Sequence, residues 1–215
     1  MKNKNMRTFW ITTILCLVPI GIGLVLYDQL PDQIATHFNF EGEADGYMSK
    51  VLTIFGLPLF MAVINGATHF TLSTDPKNNE GQNTFMYNFG KWTCPILSMT
   101  LMPILYYMAL GNSFNVRFFV MLLIGILFIV IGNYLPKCKQ NYTIGIKLPW
   151  TLHSEQNWNL THRFSGFVWV LGGILIIILN CISNVQVYTI GFFGILIVLT
   201  VVPFVYSYIL YRKGI

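Results

Sequence analysis

Charge is scarce in this sequence. Asp, Glu, Lys and Arg make up 10% of its residues, where a soluble domain carries about 25%. Acids are the rarer sign, eight against 13 bases. Cysteine is scarcer still. Cys16, Cys94, Cys138 and Cys181 show no metal-ligand spacing and no placement for an external disulfide, which leaves them as small packing hydrophobes. There is no HExxH and no neighbouring Ser–His–Asp or Cys–His grouping, so the expectation is a protein that is not an enzyme and needs no cofactor. No basic stripe is interleaved with aromatics, which argues against nucleic acid as a direct partner. No repeat of fixed period is evident.

Hydrophobic residues, in contrast, reach 54%. They gather into six runs, residues 8–27, 51–72, 92–110, 116–135, 165–183 and 188–211, with no acid in any and Arg117 as the only base. A helix needs about 20 mostly apolar residues to cross the hydrocarbon core. The expected fold class is all-α: an integral membrane bundle of six transmembrane helices, one polytopic domain over 1–215. The basic start and first run look like a signal peptide, but Tyr27, Asp28 and Gln29 follow where small cleavage-site residues would stand, so the first span is read as uncleaved.

Lysine and arginine set the orientation, because they are retained on the cytoplasmic side. With six spans, one side holds Lys2, Lys4, Arg7, Lys77, Lys91, Lys137, Lys139, Lys147, Arg163, Arg212 and Lys213, eleven of the 13. The other holds Lys50 and Arg117. Both termini are therefore placed in the cytoplasm. Asp28, Asp32, Glu41, Glu43 and Asp45 fall in the first external loop, so the net charge of +5 reflects topology. The spans contain Pro19, Pro58, Pro95, Pro103 and Pro203, and the third, with two prolines, is expected to bend. Asn65, Asn133, Asn180 and His69 are their polar candidates, suited to interhelical hydrogen bonds. The stretch 73–90 is polar and rich in turn residues and is expected as a mobile cytoplasmic connection.

Two connections are longer and denser than a bilayer filler requires: an external loop at 28–50 and a cytoplasmic loop at 136–164, both expected to be ordered. In the first, Ile34, Thr36, Phe38 and Phe40 alternate with Ala35, His37 and Asn39, as in a short extended segment. Gly42 and Asp45-Gly46 are turn signals, and Leu30-Pro31 ends the first span, which suggests a hairpin-like cap. His37, Glu41, Glu43 and Asp45 have the donor types of a divalent-metal site. The same residues also suit a solvated acidic loop, or one that steers a cationic peptide.

In the second loop, Ile144, Ile146, Leu148 and Trp150 alternate with Thr143, Gly145, Lys147 and Pro149, which predicts an extended segment along the membrane. Ser154 is placed as a helix cap with Glu155 beside it. From there Trp158, Thr161 or His162, Ser165 and Trp169 share a helical face leading into the fifth span, with Trp150 and Trp158 at headgroup level. Arg163 and His162 serve as membrane anchors, or join Asn141, Lys147 and Trp150 in a polar binding site.

The first loop resembles the DUF1648 pattern through Leu30, Pro31, Ile34, His37, Phe38, Asn39, Gly42, Asp45 and Lys50, within a region over 8–72. The second resembles the SdpI/YfhL family signature through Asn141, Ile144, Gly145, Ile146, Pro149, Trp150, Thr151, Leu152, Trp158, Thr161, His162, Arg163 and Gly166, within a region over 116–211. Lys147 stands where that pattern carries Arg, and Leu148 where Thr is commoner. The resemblance implies a multi-pass protein of the bacterial plasma membrane. It implies immunity to a secreted, membrane-active killing peptide, and signal transduction by sequestering a repressor at the membrane. Expected partners are membrane lipids, an extracellular toxin peptide and a cytoplasmic repressor. Rival readings are a transporter or flippase for a peptide or lipid, disfavoured by the lack of buried charge, and a membrane enzyme with a metal at His37.

Overall fold

The structure is a computed structural model that describes residues 2–77 and 84–215. Among the described residues seven α-helices dominate: α1 (Lys2–Val25), α2 (Leu57–Thr74), α3 (Thr84–Ala109), α4 (Val116–Tyr134), α5 (Pro149–His153), α6 (Glu155–Leu179) and α7 (Val185–Arg212). Between α1 and α2 lie two strands, β1 (Gln33–Phe38) and β2 (Ala44–Ser49), paired antiparallel. Part of the polar connection at 73–90 lies outside the described residues.

Among the described residues, five segments are long and apolar enough to cross a membrane: Asn5–Val25, Leu52–Thr74, Val116–Lys137, Glu155–Leu179 and Val185–Arg212. The expected third span is helical within α3, but it does not join these five. Its apolar content is diluted by Pro95, Pro103, Trp92, Tyr106, Tyr107 and several hydroxyl residues. The second begins irregularly, with π-helix over Leu52–Gly56. Pro58 follows in the first turn of α2 and cannot donate to the carbonyl four residues back, the kind of lesion a wider turn absorbs. The fifth is longer than its apolar run, because α6 continues without a break from Glu155.

The chain forms two compact units. One comprises Met1–Ser73 and Asn88–Val116, the other Thr74–Tyr87 and Arg117–Ile215. The first unit has an apolar core of Leu30, Ile34, Ile54, Met102 and Tyr106. Polar bonds tie its helices. Asn65 Nδ2 donates to the hydroxyls of Thr12 and Thr13, both at 3.1 Å, and the Thr12 hydroxyl lies 3.0 Å from His69 Nε2. Around the helix-interior Pro19, the Ser98 hydroxyl donates to the Cys16 carbonyl (2.8 Å) and Tyr106 to that of Pro19 (3.3 Å). Neighbouring side chains thus satisfy carbonyls near a proline, as a helix in lipid requires.

In the second unit, glycines bring α4 and α6 together. A methyl at Gly125 would stand 2.9 Å from the Gly173 carbonyl, and one at Gly132 2.8 Å from that of Gly166. Small residues of this kind let membrane helices approach backbone to backbone. Asn180 Nδ2 donates to the Phe118 carbonyl at 2.8 Å, and Trp169 to that of Leu199 at 3.0 Å. Met121, Ile176, Tyr188 and Phe192 fill the core.

Candidate functional site

The hairpin is built by its polar residues. Asn39 accepts with its side-chain oxygen from the amides of Glu41 (2.9 Å) and Glu43 (3.0 Å) and closes the turn through its own amide to the Glu43 carbonyl (2.9 Å). Gly42 sits at φ 87°, a region that favours glycine. The turn therefore lies at 39–43. Asp45-Gly46, a turn signal in the sequence, is inside β2. Gly46 is paired with His37, and a methyl there would stand 2.8 Å from the His37 Cβ. The pairing slips between Ala35 and His37 and again before Phe38, so the simple alternation ends after Ile34, which is buried.

Lys50 ties this hairpin to the end of α1. Its ammonium donates to the carbonyls of Tyr27 (3.2 Å) and Leu30 (3.1 Å) and lies over the Tyr27 ring. Both carbonyls lie in the turn that follows α1. Asp32, almost wholly exposed, approaches Lys50 only at 3.5 Å. Pro31 is exposed and Phe38 half-buried. His37 Nδ1 and Asp45 Oδ1 lie 2.5 Å apart, with 74% and 45% of their side chains exposed. The four metal candidates do not converge: among the described residues no three His, Cys, Asp or Glu gather at one point.

The loop of the second unit is a folded knot anchored on the buried side chains of Asn141, Thr151, Trp158 and His162 rather than an extended segment. Asn141 breaks the expected alternation. Its side-chain oxygen accepts from the amides of Thr143 (2.9 Å) and Ile144 (2.6 Å), and its Nδ2 donates to the Lys139 carbonyl (2.8 Å). Such an Asx turn competes with extended backbone. Gly145 follows at φ 122°, where a methyl would stand 2.5 Å from His162 Nε2 and 2.9 Å from the Trp158 ring. Pro149 opens α5. The Thr151 hydroxyl accepts from the Leu148 amide (2.9 Å) and faces the Ile146 carbonyl (2.8 Å).

Ser154 caps α6, accepting from the Asn157 amide at 3.1 Å. Trp158, Thr161, His162 and Ser165 then lie on the buried face of α6. Trp158 donates to the Cys138 carbonyl (2.7 Å) and stacks on His162 at 3.9 Å. His162 Nδ1 bonds the Trp158 carbonyl (2.8 Å), which makes it the donor, so Nε2 accepts from the Ile146 amide (3.0 Å). Both ring nitrogens are engaged, and the ring is fully buried. Trp150 donates to Ser207 at 3.0 Å among Phe204, Tyr208 and Tyr211. Lys147 and Arg163 remain exposed; the Lys147 ammonium donates to the Tyr142 carbonyl (3.2 Å).

Several residues of this knot carry no motif in the sequence. Asp75, just after α2, is buried and accepts from the Lys77 amide (2.9 Å), the Tyr142 amide (3.0 Å), the Thr143 hydroxyl (2.6 Å) and the Tyr87 hydroxyl (3.2 Å). Burial pushes its carboxyl up, but these four bonds to the charged form outweigh it and hold it below its ordinary value. Gln140 links Lys77 (2.7 Å) to the Thr151 carbonyl (2.8 Å). Asn157 donates to the Ser207 and Ile215 carbonyls and accepts from Thr161. Burial pushes the Cys138 thiol up to about 11. Only the long-range contacts reveal these roles; a lone acid or amide after a span gives no periodic signal.

Comparison with known proteins fits the two motifs. Residues 137–207 match the SdpI/YfhL protein family, and residues 14–62 match a domain of unknown function, DUF1648. Over 203 residues the chain is 28% identical to Immunity protein SdpI of Bacillus subtilis (strain 168), covering 94% of this chain and 95% of that protein. No solved structure matches the chain. The chain thus carries an SdpI/YfhL segment and an N-terminal DUF1648 segment, and its apolar helices embed it in a membrane.

Proposed function

We propose that this chain, bearing both the SdpI/YfhL and the DUF1648 segments, is an immunity protein of the bacterial plasma membrane, protecting its host from a secreted, membrane-active killing peptide. The observation that carries the reading is the likeness to Immunity protein SdpI along 94% of the chain. The topology belongs to the same proposal. The five apolar segments and α3 make six spans, both termini are cytoplasmic, the hairpin faces outside and the 136–164 loop faces inside. The Lys and Arg asymmetry supports it.

In this reading the protein acts by binding. His37 and Asp45 stand exposed on a hairpin whose fold is held by other residues, among five outward acids that attract a cationic peptide. His162 is not free for proton transfer, since both its nitrogens are engaged inside the knot. Signalling extends the reading: the exposed cations Lys147 and Arg163 offer a cytoplasmic face on which a repressor is held once toxin is sensed.

Survival tests it. A bacterium sensitive to a secreted, membrane-active killing peptide should tolerate more of that peptide when it expresses the chain than with a vector control. Asp45→Ala, at equal membrane abundance, should lose about tenfold of that tolerance, the effect of about 1.4 kcal/mol in binding. No protection by the wild type at normal abundance would sink the proposal. A repressor that never co-purifies with the membrane-embedded chain after toxin addition would remove the signalling half alone.

A further inference from the structure

Unit 1 holds a groove that the proposed immunity does not use. It encloses about 600 Å³, within the roughly 300–1,000 Å³ of small-molecule sites, and is lined by Asn5, Met6 and Phe9 of α1 and Gly66, His69, Phe70 and Ser73 of α2. Those positions recur at three- and four-residue spacing, so one face of each helix forms one wall. The polar and apolar parts are separated by chemistry. Met6, Phe9, Gly66 and Phe70 offer hydrocarbon. Asn5, His69 and Ser73 offer hydrogen bonds.

Within unit 1 the charge near it has one sign, while Asp75, two residues after Ser73, is already held by four donors of the knot. Every acid of the unit (Asp28, Asp32, Glu41, Glu43 and Asp45) belongs to the α1–α2 connection, between the far end of α1 and the far end of α2. At the groove end Arg7 of α1 is exposed, and Lys91 donates to Asn5 Oδ1 at 3.1 Å, leaving the Asn5 amide nitrogen to donate. His69 engages Thr12 through Nε2.

We infer that this groove binds one anionic phospholipid, its phosphate at Lys91 and Asn5 and an acyl chain along Phe9, Gly66 and Phe70. A headgroup that is anionic and accepts hydrogen bonds fits a mouth with cations and amide donors, and an acyl chain fits the apolar wall.

Gly66 makes the test clean. A methyl there would have a single neighbour within 4 Å, Phe9 Cε2 at 4.0 Å, so a side chain at this position has room to enter the groove and Gly66→Leu occupies it. Full-length protein would be taken from nanodiscs of equimolar phosphatidylglycerol and phosphatidylcholine and its retained lipids counted by native mass spectrometry. The expected result is one phosphatidylglycerol held in preference to phosphatidylcholine. Gly66→Leu and Lys91→Gln should each weaken it about tenfold. Gly21→Leu, whose surroundings are empty within 4 Å, should leave it unchanged. Equal retention of the two lipids, or wild-type retention by Gly66→Leu, would overturn the proposal. So would full displacement by excess inorganic phosphate, which would make the site one for a free anion. Should Gly66→Leu fail to fold, Lys91→Gln at the mouth decides alone.

Discussion

Replacing Gly145 with alanine should be among the most damaging single-methyl changes in this protein. Two costs combine. At φ 122° any side chain is strained, which is worth about 1–3 kcal/mol. The new methyl also lands 2.5 Å from His162 Nε2 and 2.9 Å from Trp158. Neither ring can yield easily, since Trp158 is held by the Cys138 carbonyl and His162 by the Trp158 carbonyl, and both are fully buried. The bond from the Ile146 amide to His162 is therefore lost, leaving buried partners unsatisfied at about 1–3 kcal/mol. Together these reach roughly 4 kcal/mol, or about 10 °C in melting temperature for a chain of this length. Thermal melting of purified protein in detergent, followed by tryptophan fluorescence, measures it. Gly21→Ala is the control, with no atom near enough to clash. If Gly145→Ala melted within about 2 °C of wild type, the knot would not be the rigid element described above.

Asp75 gives a pH signature. Its carboxyl is held below the ordinary 3.8, so the stability it contributes is present above that value and drains away as pH falls through the lower, folded value. The wild type should lose melting temperature on acidification through and below 3.8, whereas Asp75→Asn should start lower, by about 1.5–3 kcal/mol, and respond less over the same window. Parallel acid profiles for the two would contradict the assignment. Cysteine labelling probes burial and topology together. Cys138, buried with its thiol raised to about 11, should resist maleimide, while Cys181 is exposed. With a membrane-impermeant maleimide on intact cells, labelling of Cys181 supports the proposed orientation, and labelling only after lysis reverses it.

The apolar segments were legible because each run is long enough to be read by length alone. Composition became ambiguous at α3, where Pro95, Pro103 and the Tyr106–Tyr107 pair lower the hydropathy of a chain that is nonetheless helical. Ser154 could be read as a cap because capping is local. The failures came where a local pattern met a competing local bond or a distant partner. Alternation over 143–150 looked extended, but the Asn141 side chain takes two amides of that stretch and Gly145 reverses the backbone. Asp45-Gly46 has turn chemistry, yet Asn39 already closes the turn, and Gly46 is needed for its closeness to His37. Asp75 was illegible, since nothing near it in sequence says that Tyr142 and Thr143 will deliver donors to it.

The departures from the family pattern then acquire a physical reading. An arginine where Lys147 stands would bring a planar fork suited to two-pronged contacts. Here the lysine makes a single bond to the Tyr142 carbonyl while its charge stays exposed, so the knot itself places no demand on a fork. At Leu148 the bond to Thr151 is made by the backbone amide, which any residue but proline supplies. Most of the remaining motif residues are spent on holding shape: Asn39, Gly42 and Lys50 in the hairpin, and Asn141, Gly145, Thr151, Trp158 and His162 in the knot. A charged or ionisable group that is both part of a motif and open to a partner survives in few places, namely His37 with Asp45 on the hairpin, and Lys147 with Arg163 beside the knot. In the proposed reading, recognition of the peptide and of the repressor runs through those side chains.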